Sequence, residues 1–434
     1  MREEEKMSFT ETRKYLRIMQ KRYRKASCKE KSALLDEMQA VTGLHRKTLI
    51  RLMNSNFDIK RKPRRRERSP TYGPEVRYAI SVIAQTLDYP SAERLQPQLV
   101  SMAELLAKHD ELELSPSLLD KLSRISVSTV RRLLTSIPRD KPRPPARRAR
   151  AKSSVLKAIS VRCIPWDIRE PGHFEVDLVH HCGPSASGEY VCTIQMVDVA
   201  TGWSESRAIL GRSYKVVQDA FRHILARLPF PVKEIHSDNG NEFLNWHLIR
   251  FWESVNPDIQ ITRSRPYRKN DNRFVEQRNS FLVRAYIGYD RLDTVAQTIL
   301  LNEIYDKQWL YQNFYLPVMR LRQKLVLPSA NSISKVRRIY DPAQTPLSRL
   351  ENTSVVDPER LEKLKNLYWQ INPRKLREEI YTLIDKLFAL PNAKPGQTED
   401  IHLTLNLPST LPEEILYPVT LSFDQQDPTG NIIF

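Results

Sequence analysis

Seven of the 11 glycines (172, 183, 188, 202, 211, 240 and 288) fall between residues 172 and 288, the stretch that also holds the strong strand signals. Turns between strands need glycine more often than short helical connections do. The chain is thereby constrained to one α/β segment set between helical flanks. From about 160 to 290 the pattern reads strand, strand, strand, helix, strand, helix, strand, helix. The first strand is the alternating run 173–179, the second and third are 188–198 and 203–209, a helix covers 216–228, and short strands close at 235–238 and 259–262.

Charge divides the chain differently. Residues 1–150 hold 34 Lys+Arg against 18 Asp+Glu, whereas 151–434 hold 35 against 33. A surplus so concentrated predicts that the N-terminal third binds a polyanion. Residues 8–55 read as helices. Ser27-Cys28-Lys29-Glu30 opens one by a capping box, and Thr42-Gly43 turns it into a second. In that second helix Leu44, Leu49, Leu52 and Met53 can face the first. His45, Arg46, Lys47, Thr48 and Arg51 are left for a DNA major groove, which is helix-turn-helix logic. A second unit over 74–137 carries the N-cap pair Ser115-Pro116, and its recognition helix would present Ser128, Thr129, Arg131 and Arg132. Two basic linkers, with Arg64, Arg65 and Arg66 in the first and Arg147 and Arg148 in the second, suit a phosphate backbone.

The expected domains are therefore a helix-turn-helix domain at 1–58, a basic linker at 59–73, a second helical DNA-binding domain at 74–137 and a Pro/Arg-rich linker at 138–158. The α/β core follows at 159–290, then a mostly helical region at 291–390 and a Pro-rich acidic tail at 391–434. In the helical region the stretch 293–327 reads as helix, and its Trp309, Tyr311, Phe314 and Tyr315 read as core rather than stacking surface. Further helices are expected near 357–370 and 374–389. No run of about 18 uncharged apolar residues occurs and Met1-Arg2-Glu3-Glu4-Glu5 is not a signal peptide, so a cytoplasmic protein without a membrane partner is expected. Cys28, Cys163, Cys182 and Cys192 form no C-x-x-C pair, which argues against a zinc knuckle or a disulfide framework.

Three acids carry the chemistry. Asp177 lies in the first strand, Asp238 closes the fourth just before the Asn239-Gly240 turn, and Glu276 lies in a helical stretch. Hard carboxylate oxygens gathered at strand ends and on a nearby helix suit two Mg²⁺ ions, with Mn²⁺ as a substitute. Asp198 and Asp271 are rival acids, read as a turn residue and a helix-start residue. His180, His181 and Cys182 lack a second ligand pair for zinc.

Four segments in order, 174–179, 197–203, 237–243 and 264–277, resemble the integrase-type catalytic core shared by retroviral integrases and bacterial insertion-sequence transposases. The resemblance implies an RNase H-like fold, a mixed five-stranded sheet with helices on both faces, and matches Asp177, Asp238 and Glu276 to the family's metal-binding acids. It implies a DDE transposase that cleaves DNA at its element's inverted repeats and joins the freed 3′-OH to target DNA. Arg265, Arg268, Lys269 and Arg273 would hold phosphates near the metals. The partners would be double-stranded DNA and further copies of the chain, as a homodimer or larger assembly. A non-catalytic helix-turn-helix regulator or domesticated relative is the alternative. Two departures stand out: relatives often carry a basic residue seven positions after the glutamate, where this chain has Val283 followed by Arg284, and the retroviral zinc-binding N-terminal module is missing.

Overall fold

The computed structural model describes residues 7–55, 71–141, 168–237, 243, 245–264, 273–327, 335–394, 397 and 399–416. The chain divides into two compact units, Met1–Thr71 and Tyr72–Phe434.

The first unit holds α1 (Phe9–Lys25), α2 (Cys28–Thr42) and α3 (Arg46–Asn54). Ser8 and Glu11 close a capping box on α1, and the Ser27 N–H donates to Glu30 Oε2 at 2.8 Å on α2. Gly43 ends α2 at φ +66°, a left-handed conformation that glycine adopts without a Cβ clash. Leu16, Met19, Tyr23, Leu35, Met38, Leu49 and Met53 form the core, with Leu44 and Leu52 packed against it. The apolar face expected of α3 is thus the face it buries.

The second unit begins with α4 (Pro74–Thr86), α5 (Ala92–Leu95), α6 (Leu99–Lys108), α7 (Pro116–Arg124) and α8 (Val127–Leu134). Ser115 and Ser126 cap α7 and α8 through their hydroxyls, with Pro116 in the first turn. The sheet follows: β1 (His173–His180), β2 (Val191–Asp198), β3 (Ser204–Leu210), α9 (Tyr214–Arg227), β4 (Glu234–Ser237), α10 (Trp246–Val255), β5 (Gln260–Arg263) and α11 (Arg273–Arg278). Its order is β3-β2-β1-β4-β5. β1 and β3 flank β2 antiparallel, joined to it by loops without a crossover helix, while β4 joins β1 and β5 in parallel through the crossovers α9 and α10. This is the RNase H-like arrangement.

Past α11 the helix widens into a π turn, Asn279–Arg284, and ends as α12 (Ala285–Ile287). Next come α13 (Val295–Leu310), a second π turn (Tyr311–Tyr315), the hairpin β6 (Leu321–Leu327) and β7 (Lys335–Tyr340), then α14 (Pro346–Glu351), α15 (Pro358–Gln370) and α16 (Pro373–Ala389). The hairpin corrects the expectation of helix up to 327. Pro317 cannot continue a helix, and the chain beyond it pairs as an antiparallel hairpin, Leu321 with Tyr340 and Leu327 with Lys335. Trp309, Tyr311, Phe314 and Tyr315 are core residues.

Two polar knots lock the second unit. Buried Glu205 accepts from Trp203 Nε1 (2.9 Å), Trp309 Nε1 (2.7 Å) and Arg227 Nε (2.5 Å), and Arg227 reaches Asp306 at 2.9 Å. Asp88, at φ +60° after α4, accepts from Tyr286 (2.7 Å), Arg377 (3.1 Å) and Tyr381 (3.1 Å). With Tyr311 donating to the Thr86 carbonyl at 2.7 Å, α4–α8 share one hydrophobic core with the sheet.

Candidate active site

Side chains alternate along a strand, so Glu175 and Asp177 share one face of β1. Along that face runs α11. Asp177 Oδ1 accepts from the Leu178 N–H at 2.9 Å, and Oδ2 accepts from Asn279 Nδ2 at 2.5 Å. Asn279 follows Glu276 by three residues, about one helical turn. The first strand acid and the glutamate-bearing helix are therefore joined directly. Glu276 itself is exposed, next to Val275 in the core. β4 ends at Ser237, which pairs with Val176, the residue before Asp177. Asp238 lies outside the described residues, as do Arg265, Arg268, Lys269 and Asp271.

Glu175 is the residue that sequence reasoning passed over. It is buried, and its Oε2 accepts from the backbone N–H groups of Phe274 (2.7 Å) and Val275 (3.0 Å), at the start of α11. A carboxylate there meets orphan helix donors and the positive end of the helix dipole. Burial nevertheless pushes its carboxyl up to about 7, against the pull of those two N–H groups, and Oε1 is buried without a hydrogen-bond partner among the described residues. The available signal was the alternation itself, which sets an acid two positions before Asp177.

Asp198 is a turn residue: buried, it accepts from Gly172 N (2.9 Å), Thr201 N (2.7 Å) and Thr201 Oγ1 (2.6 Å). His180 turns to Tyr190 (3.1 Å), His181 to Thr193 on the other face (2.8 Å), and the Cys182 thiol to the Gly183 carbonyl (3.6 Å). These three do not converge, and among the described residues no three His, Cys, Asp or Glu side chains gather to hold a metal.

In α3, His45 caps the helix by accepting from Lys47 N at 3.2 Å, and Arg46 is drawn back to Asp36 and Ser32 of α2. Lys47 and Arg51 are exposed and Thr48 is half-buried. On α8, Ser128 and Arg132 are exposed, Thr129 joins the Ser126 cap at 3.0 Å, and Arg131 pairs with Glu93. Arg273 lies over the Phe274 ring at 4.7 Å. Arg64, Arg65, Arg66, Arg147 and Arg148 fall outside the described residues.

The profile of the family described as Integrase core domain matches residues 168–269, the span of the sheet. The chain belongs to the integrase-core family, the class of transposases and integrases, whose general chemistry is polynucleotidyl transfer. It is 36% identical over 329 residues to a Sinorhizobium fredii (strain NBRC 101917 / NGR234) protein named "Uncharacterized protein y4rM", covering 76% of this chain and 91% of that one. The crystal structure of the catalytic core domain of BIV integrase is also similar, at 19% identity and a TM-score of 0.21, over 25% of this chain and 64% of that chain. No helix among the described residues is long and apolar enough to cross a membrane.

Proposed function

We propose that this chain is a DDE transposase. It binds the terminal inverted repeats of a mobile element through its basic N-terminal third, nicks the element ends, and joins the freed 3′-OH to target DNA as a dimer or larger assembly. One observation carries the reading: the Asn279–Asp177 hydrogen bond fastens β1 to the helix of Glu276, beside the end of β4 that leads into Asp238.

Asp177, Asp238 and Glu276 would hold two Mg²⁺ ions, or Mn²⁺. The donor set fits, since Asp177 and Glu276 offer hard carboxylate oxygens while the nearby imidazoles and thiol are turned elsewhere. When bound, such ions supply Lewis acidity to the attacking and leaving oxygens of an in-line displacement at phosphorus. The protein's own part is positional. Asn279 fixes the rotamer of Asp177, and Glu175 holds the first turn of α11 and with it the height of Glu276 over β1. Arg265, Arg268, Lys269 and Arg273 would orient the scissile phosphate. No side chain need act as nucleophile, because water attacks in the first step and the 3′-OH in the second.

Labelled element-end duplex incubated with Mg²⁺ and a target plasmid tests the reading. Wild type should give nicked and joined products, and Asp177→Asn should give neither while shifting the end DNA with unchanged affinity. Nicking retained by Asp177→Asn would overturn it.

A further inference from the structure

Beside α11 lies a groove of about 260 Å³, floored by the turn between β2 and β3 and walled by the β6–β7 hairpin. A second hollow of about 380 Å³ adjoins it, and Arg320 lines both. Each is lined by four arginines: Arg273, Arg278, Arg320 and Arg338 in the first, and Arg169, Arg320, Arg322 and Arg349 in the second. The acids in the two linings are Asp198 and Asp341. Asp198 is consumed by its turn. Asp341 takes Arg349 at 2.7 Å and the Arg320 N–H at 2.6 Å. Two acids against seven arginines leave the two linings strongly positive.

The arginines are organised rather than scattered. Arg273 and Arg320 both lie over the Phe274 ring, at 4.7 and 5.5 Å, so two guanidinium planes are held about one aromatic. Burial, with like-charged Arg94 and Arg349 adding to it, lowers Arg278 to about 9. Such crowding of positive charge is relieved by an arriving anion. On the outer side Arg322, Arg337, Arg338 and Tyr340 are exposed. The seven residues of β6 span roughly 23 Å, the axial length of about seven base pairs. Gln277, next to Glu276 in sequence, lines the same groove.

We propose that the hairpin and this groove form a second DNA-binding surface, which takes the phosphate backbone of a duplex running past α11. Planar guanidinium groups suit phosphate oxygens bidentately. The surface binds without reading sequence, and it holds the DNA that the acids cut or join. This rests on the DNA-processing reading but is separable from it.

The test uses the full chain and a labelled duplex of arbitrary sequence. A photo-crosslinking amino acid replaces Arg338, and separately Leu403, an exposed residue of the segment packed against α9. Position 338 should crosslink to duplex and position 403 should not. Arg322→Ala with Arg338→Ala should lower the slope of log affinity against log salt by about 1.8, two phosphate contacts' worth, with unfolding temperature unchanged. Absence of crosslinking from 338, while Asp177-dependent nicking persists, would overturn this surface alone. Preferential crosslinking to single-stranded RNA over duplex would overturn it in favour of another partner. Nicking that survives Asp177→Asn would sink the transposase reading and leave the crosslink standing.

Discussion

His181 shows how one residue's surroundings set its chemistry. It is fully buried, its Nε2 meets Thr193, and burial, with Arg284 and His180 adding to it, lowers its pKa to about 3. The unfolded chain would protonate it near 6.5. Stability tied to this group is therefore intact above about pH 6.5 and is lost as pH falls toward 3, at up to roughly 1.4 kcal/mol per pH unit. Urea unfolding at several pH values should show wild type losing stability more steeply than His181→Gln across that window. Parallel slopes would refute the neutral buried assignment. At this scale Asp177 was legible because a strand alternates with period two. Glu175 was not legible in its role, since a buried acid is explained by partners about a hundred positions away, the N–H groups of Phe274 and Val275.

At the scale of elements, α11 depends on that same acid. It opens the helix that runs on through the π turn to Ile287, and its first turn has Glu175 as acceptor. Glu175→Ala should cost about 1–2 kcal/mol, as loss of a helix cap does, and should lower kcat for nicking with little change in KM for end DNA. Glu175→Gln keeps one acceptor oxygen and should recover much of the rate. Equal kcat in both variants and wild type would show that α11 holds its place unaided. The order of strands and helices in the core was legible from periodicity and glycine turns. The β6–β7 hairpin was hidden, because the aromatic density of residues 309–315 made a helix seem to continue beyond Pro317.

Across the whole molecule, one buried cation couples regions far apart in sequence. Arg377 of α16 donates to Asp88 after α4 and to Asp140, at 2.9–3.1 Å, and these carboxylates hold its pKa well up. Breaking a buried pair leaves an uncompensated charge, so Arg377→Ala should destabilise the second unit by about 3–5 kcal/mol. Thermal unfolding should register this in the 72–434 unit and not in the three-helix unit. A single unshifted transition would contradict it. The charge map separated a basic third from the rest of the chain. It could not show α4–α8 packed into the catalytic core, since the contacts made by Asp88, Tyr286, Tyr311 and Arg377 pair residues some two to three hundred positions apart.

The π turn at Asn279–Arg284 bears on the departure at Val283. A π turn takes up one more residue per turn than an α-helix. The residue eight places after Glu276 therefore comes round to the angle that the seventh would hold in an unbroken α-helix. Val283 falls into the core, and Arg284 swings over the end of β1, donating to the His180 carbonyl at 2.8 Å. The wide turn thus sets the Arg284 guanidinium at the helical phase of a seventh residue, although eight positions separate it from Glu276.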